Sequence, residues 1–168
     1  MPSLRVLSIG LVVLVLTVVA TASLANQTQT TRTSCLISQV TRDSAPPDPN
    51  ADSGGAAQDW YINSDRTIWV SVPAGGWPAG GRVFSGGRPV DGRKTYWVRP
   101  AGTQLFITGR RLDAQAPALE AHVPCCYPTG FQTVALFFPT DGCWEVTATA
   151  RDRVLKFVTQ VRPSTAGR

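Results

Sequence analysis

The chain has 168 residues, of which 43% are hydrophobic and 16% are charged, and its formal net charge is +5. This length suits one domain of ordinary size together with a leader, and the hydrophobic content is sufficient for a packed core. The small charge, carried by scattered basic residues that form no stripe with aromatic residues, argues against nucleic-acid binding. The 15 glycines and 13 prolines favour many turns over long helices.

The first 25 residues have the pattern of a secretory signal peptide. Arg5 provides the initial positive charge, residues 6–20 are almost continuously apolar, and the Ser-Leu-Ala sequence at residues 23–25 offers small residues to signal peptidase. Cleavage after this sequence would leave Asn26 as the new N-terminus. The alternative is an uncleaved anchor, because residues 4–25 are long enough to span a bilayer as a helix. We therefore expect a secreted protein, or one on the extracellular face of the cell envelope, that is attached to the membrane only if the leader is retained.

Residues 26–58 are predicted to form a flexible, extended N-terminal region. The first part is polar and rich in Thr and Gln, residues 35–40 could form a short strand, and residues 43–58 are rich in Pro, Gly and Asp. Such a composition cannot bury enough apolar surface to build a core of its own.

Residues 59–162 are predicted to form the folded domain, and residues 163–168 a flexible tail. Short β-type segments with alternating apolar and polar residues are separated by turn residues, and no stretch of useful length has a helical period. The strands are predicted at residues 67–72, 82–84, 95–98, 104–108, 119–123, 131–138, 143–150 and 154–161, the last two as a hairpin. Seven or eight short strands with Gly/Pro turns predict an antiparallel β-sandwich, with a closed barrel as the alternative architecture.

The four cysteines, Cys35, Cys125, Cys126 and Cys143, suggest disulfides in an exported protein. Three pairings are possible, and spacing alone leaves the choice open. Adjacent cysteines seldom bridge each other, which favours linking Cys35 and Cys143 to the adjacent pair. The pair together with His122 lacks the C-x₂₋₄-C spacing of zinc sites, so no metal site and no cofactor is predicted.

Three motifs in the C-terminal half resemble a known family. They are GRRLDA at residues 109–114 with APAL at 116–119, GFQ at 130–132, and FPTDGCWEVT at 138–147. These motifs are similar to those of a group of uncharacterised bacterial secreted or lipoprotein-type domains, and the similarity extends over residues 60–161. The resemblance implies an Ig-like β-sandwich and a disulfide between Cys35 and Cys143. The adjacent cysteines, which the family pattern lacks, would then be a vicinal bridge or free thiols.

No catalytic centre is predicted, and we expect the protein not to be an enzyme. His122 is the single histidine, so a Ser-His-Asp or Cys-His arrangement would have to use it. Cys125 and Cys126 follow it closely, but no motif marks a nucleophile. The only glutamates, Glu120 and Glu145, take outward positions on strands, and nothing in the sequence makes them converge as in glycoside hydrolysis.

The remaining prediction is a non-catalytic binding or interaction module whose partner is an unknown protein or glycan of the cell envelope. Trp77, in the Gly/Pro loop 74–81, could stack on a sugar or fill a partner's pocket. It could also fold back onto the sandwich. Arg110 and Arg111 could form a recognition patch or a solvated corner paired with Asp113. An extracellular protease inhibitor or a structural envelope protein are alternative functions, and a hydrolase is a weaker one.

Overall fold

The computed structural model describes residues 34–42, 46, 59–85, 88–125 and 127–164. The predicted leader, most of the region 43–58, Cys126 and the end of the tail lie outside these residues. The chain divides into the units Met1–Thr31 and Arg32–Arg168, and every described residue belongs to the second unit. Within the described ranges, no helix is both long and apolar enough to cross a membrane.

The described part of the chain contains ten β-strands and no α-helix. The strands are β1 (Asp59–Ile62), β2 (Trp69–Val72), β3 (Arg82–Ser85), β4 (Arg88–Asp91), β5 (Arg93–Val98), β6 (Phe106–Arg111), β7 (Glu120–His122), β8 (Phe131–Phe137), β9 (Gly142–Ala150) and β10 (Arg153–Val161). Turn and loop residues separate consecutive strands, as the Gly and Pro content of the sequence predicts.

Eight of these strands form two antiparallel sheets, which confirms the predicted β-sandwich over a closed barrel. The larger sheet has the strand order β1-β2-β5-β8-β7, and the smaller has the order β10-β9-β6. Strands β3 and β4 pair only with each other in a separate hairpin. The predicted hairpin of the last two strands is also confirmed, with Arg153 paired to Ala150 next to the turn.

The core lies between the two sheets, because each strand directs alternate side chains inward. The larger sheet contributes residues such as Tyr61, Trp97 and Leu136, and the smaller sheet contributes Trp144 and Phe157, all of them buried. Trp144 of β9 fills the core, and its indole nitrogen donates to the Thr140 carbonyl at 3.0 Å.

The N-terminal segment at residues 34–42 crosses from the smaller sheet to the larger one. The predicted strand at 35–40 is wrong, because these residues form no ladder with another strand. Instead, the Ser38 amide donates to the Val158 carbonyl at 2.9 Å, and Thr41 forms an isolated bridge with Trp60 of β1. The Cys35–Cys143 disulfide, the pairing that the resemblance implied, attaches the start of this segment to β9.

Candidate functional site

The outer face of the smaller sheet carries a regular array of side chains, which we call the outer-face grid. Because the β9 residues Trp144, Val146 and Ala148 are buried in the core, the residues between them point to the opposite face. The strand register places their neighbours in three cross-strand rows. The rows are Phe106–Thr149–Val154, Thr108–Thr147–Lys156 and Arg110–Glu145–Val158.

Glu145 connects the charged members of the grid. Its carboxylate oxygens lie 3.0 Å from Nε of Arg110 and 2.9 Å from Nζ of Lys156. The hydrogen bond from Lys156, and secondarily that from Arg110, lower the pKa of Glu145, so the carboxylate is ionised at neutral pH. The terminal nitrogens of Arg110 make no hydrogen bond to another described residue, and its side chain is 71% exposed. The guanidinium is therefore fixed at one nitrogen and open to solvent at the other two.

The middle row provides hydroxyl groups. Thr108 and Thr147 border a shallow hollow of about 240 Å³ together with Gly109, Arg110 and Glu145. Neither hydroxyl forms a hydrogen bond with the rest of the described chain. Each can therefore act as a donor or an acceptor toward a molecule placed in the hollow.

The row Phe106–Thr149–Val154 has an exposed apolar side chain at each end. Phe106 is 56% exposed and Val154 is 51% exposed, at opposite ends of the row. In the part of the chain that the structure describes, the other large exposed hydrophobic residues are Leu36, Ile37 and Tyr127. In the chain, Leu36 and Ile37 lie between Cys35, which is disulfide-bonded to β9, and Ser38, which is hydrogen-bonded to Val158 of β10.

Trp77 lies in the core, so the hypothesis that it contacts a ligand is wrong. Its ring is fully buried and stacks with Tyr61 and Phe157 at centroid distances of 6.0 and 5.8 Å. Two main-chain hydrogen bonds hold the loop inward: Arg162 donates to the Trp77 carbonyl, and Ala79 donates to the Arg162 carbonyl. The alternative, in which Trp77 folds back onto the sandwich, is the one observed.

The other four tryptophans are also buried, namely Trp60, Trp69, Trp97 and Trp144. Trp60 and Trp69 form a separate cluster with Val98, and the ring of Trp69 is covered by the guanidinium of Arg66 at 4.8 Å. No tryptophan is therefore available as an exposed anchor for a ligand.

The two predicted arginines have different roles. Arg110 belongs to the outer-face grid, whereas Arg111 is the next residue of β6 and faces the other way. Nε of Arg111 donates to Asp113 at 2.6 Å, and Nη1 donates to Thr140 at 3.1 Å, so this side chain ties the β8–β9 loop to the end of β6. The same bond lowers the pKa of Asp113. The expected arginine–Asp113 pair is present and is made by Arg111, but Arg110 and Arg111 both lie in strand β6 and not in a solvated corner.

Of the groups considered for catalysis, the structure describes Cys125, His122 and the two glutamates. Cys125 is disulfide-bonded and so offers no thiolate, while Cys126 lies outside the described residues. Glu120 belongs to the larger sheet and Glu145 to the smaller one. His122 is in the short strand β7, and the described residues contain no cluster of three or more potential metal ligands.

A second concavity of about 270 Å³ lies between the loops around residues 102 and 127, where its lining includes Thr103 and Tyr127. Buried Arg99 supports one wall, since it donates to the carbonyl groups of Tyr127 and Thr129 at 3.1 Å. Burial lowers the pKa of Arg99. Because its guanidinium is occupied by these carbonyls and by Gln132, it acts as a structural brace for the loop.

Comparison of the chain with protein-family models, curated proteins and solved structures finds no match. The family resemblance therefore stays a prediction, and the functional interpretation depends on the geometry of the outer-face grid.

Proposed function

We propose that this protein is an exported, non-catalytic binding module that acts on the outer side of the cell envelope through its outer-face grid. The observation that carries the proposal is the grid itself, in which exposed apolar, hydroxyl and charged side chains share one face of a hydrogen-bonded sheet. Side chains on strands are positioned more accurately than side chains on loops, which reduces the entropic cost of binding.

Export is supported by the sequence of the first 25 residues and by the Cys35–Cys143 disulfide. Disulfides persist in oxidising compartments and are rare in the cytosol. The proposed location is therefore the extracellular space or the outer surface of the envelope.

A binding role agrees better with the site than catalysis does. The one carboxylate of the grid, Glu145, is held ionised by two cations, so it is poorly suited to donate a proton at neutral pH. Cys125 is oxidised, and Glu120 is on the other sheet. What the grid offers is a set of donors, acceptors and apolar surface.

The proposal can be tested by photo-crosslinking on intact cells. A diazirine-bearing residue replaces Thr147 at the centre of the grid, and a control carries it at exposed Glu120 on the larger sheet. We expect a covalent adduct from position 147 that is absent from position 120 and is lost when Arg110→Ala is added. Adducts of equal yield at both positions, or none at position 147, would rule out the grid as the binding surface.

A further inference from the structure

We infer that the ligand of the outer-face grid is a saccharide, of which one or two sugar residues lie on the grid. This inference rests on the proposed binding function and specifies its ligand class. It follows from the size of the grid, from its mixture of hydrogen-bonding groups and from the position of Phe106.

The grid by itself is smaller than a standard protein–protein interface. Neighbouring strands lie about 4.8 Å apart and alternate residues about 6.7 Å apart, so three strands and three rows span roughly 10 by 13 Å. This footprint matches a small ligand, whereas the roughly 800 Å² of accessible surface that each partner buries in a standard protein complex would have to extend well beyond these three rows. One or two sugar rings fit a surface of this size.

The polar groups match the hydroxyl groups of a sugar. Arg110 offers donors at its two terminal nitrogens, and the Glu145 carboxylate, which uses one bond per oxygen, retains capacity to accept. The hydroxyls of Thr108 and Thr147 can do either. A sugar hydroxyl is itself both donor and acceptor, so it can satisfy all these groups, whereas a purely anionic or purely cationic ligand cannot.

Phe106 supplies the apolar component. Its exposed ring belongs to the row next to the Thr108–Thr147 pair, so a sugar whose hydroxyls contact the threonines can place its C–H face on the ring. The charged groups of the grid sum to one positive charge, from two cations and one anion. This charge is too small to select a polyanion such as nucleic acid.

The neighbouring edge of the sheet does not favour a peptide strand as ligand. Ser38 already binds both main-chain groups of Val158, and the rest of the β10 edge carries Arg153 and Lys156. An edge that is occupied at Val158 and carries charged side chains elsewhere resists addition of another strand.

The test is binding of the intact chain to an immobilised glycan array, followed by titration with the best-bound oligosaccharide. Phe106→Ala and Arg110→Ala are compared with matched controls outside the grid, Tyr127→Ala and Arg82→Ala. The control arginine has the same 71% side-chain exposure as Arg110 and also pairs with a carboxylate. Circular dichroism and thermal melting verify that each variant is folded.

We expect Phe106→Ala and Arg110→Ala each to weaken binding about tenfold or more, and both controls to change it less than about twofold. A further variant, Thr147→Val, keeps the shape of the side chain but removes the hydroxyl and should also weaken binding. Absence of any glycan binding would overturn the saccharide inference, and the crosslinking result would then decide separately whether the grid binds something else. Binding that the grid variants leave unchanged would overturn the location.

Discussion

The Cys35–Cys143 disulfide should contribute a large share of the stability of the domain. It joins residues that are 108 positions apart, so in the unfolded chain it closes a loop that includes most of the folded domain. The relation between loop length and chain entropy gives a stabilisation of about 5 kcal/mol for such a loop. Because small domains are stable by roughly 5–15 kcal/mol in total, the Cys35→Ala/Cys143→Ala variant should lie close to its unfolding threshold.

The measurement is guanidinium unfolding followed by tryptophan fluorescence, which is suitable because all five tryptophans are buried in the folded chain. A control separates loop closure from docking of the N-terminal segment. Ser38→Ala keeps the disulfide but removes the hydroxyl that accepts from the Val158 amide, and should cost only about 1 kcal/mol. If the double cysteine variant lost less than about 1 kcal/mol, the reasoning from loop closure would be refuted.

Three further predictions concern the core, a turn and the dependence of stability on pH in acid. Trp77→Ala should cost about 3–5 kcal/mol, measured by the same unfolding assay, since it removes a fully buried ring; a cost below about 1 kcal/mol would contradict its core position. Gly92→Ala should cost more than about 1 kcal/mol because φ is +125° and a Cβ would lie 2.7 Å from the main chain of β8, while Gly102→Ala, with φ +66° and no atom within 4 Å, should cost less. The order of these two costs is the test. Lys156 lowers the pKa of Glu145 below its usual 4.5, so the carboxylate stabilises the fold above that pH and this contribution is lost as the pH falls through the folded-state value. The difference in unfolding free energy between wild type and Glu145→Gln should therefore be constant down to about pH 5 and shrink below it. A difference that grows in acid would mean that folding raises the pKa of Glu145, which would refute this reasoning.

The strands that the sequence predicted best are those with one buried and one exposed face. The predicted strands at 143–150 and 154–161 correspond closely to β9 and β10, in which alternate residues such as Trp144 and Phe157 are buried in the core. Strand β1 was not predicted, because its consecutive residues Trp60 and Tyr61 are buried on opposite faces and leave no alternation to detect. The segment 35–40 has a strand-like composition, but strand formation needs a ladder of partners that it does not have.

The candidate site was only partly predictable. Arg110 was identified as a surface candidate, but its partner Glu145 is 35 residues away, and only the register of β6 against β9 brings them together. For Trp77, the flanking glycines correctly indicated a loop. The direction of its side chain depends on hydrogen bonds to Arg162, near the other end of the domain, and no local pattern contains that information.

The ion cluster of the grid is better explained as a binding device than as a source of stability. Arg110 and Lys156 are 71% and 57% exposed, and ion pairs made by exposed side chains contribute only about 0–1 kcal/mol. These ion pairs also orient the side chain, because Glu145 binds the guanidinium of Arg110 at Nε alone and leaves its terminal nitrogens facing solvent. An arginine oriented in advance loses less side-chain entropy when a ligand binds. The same contacts that add little to folding therefore prepare this face of the sheet for recognition.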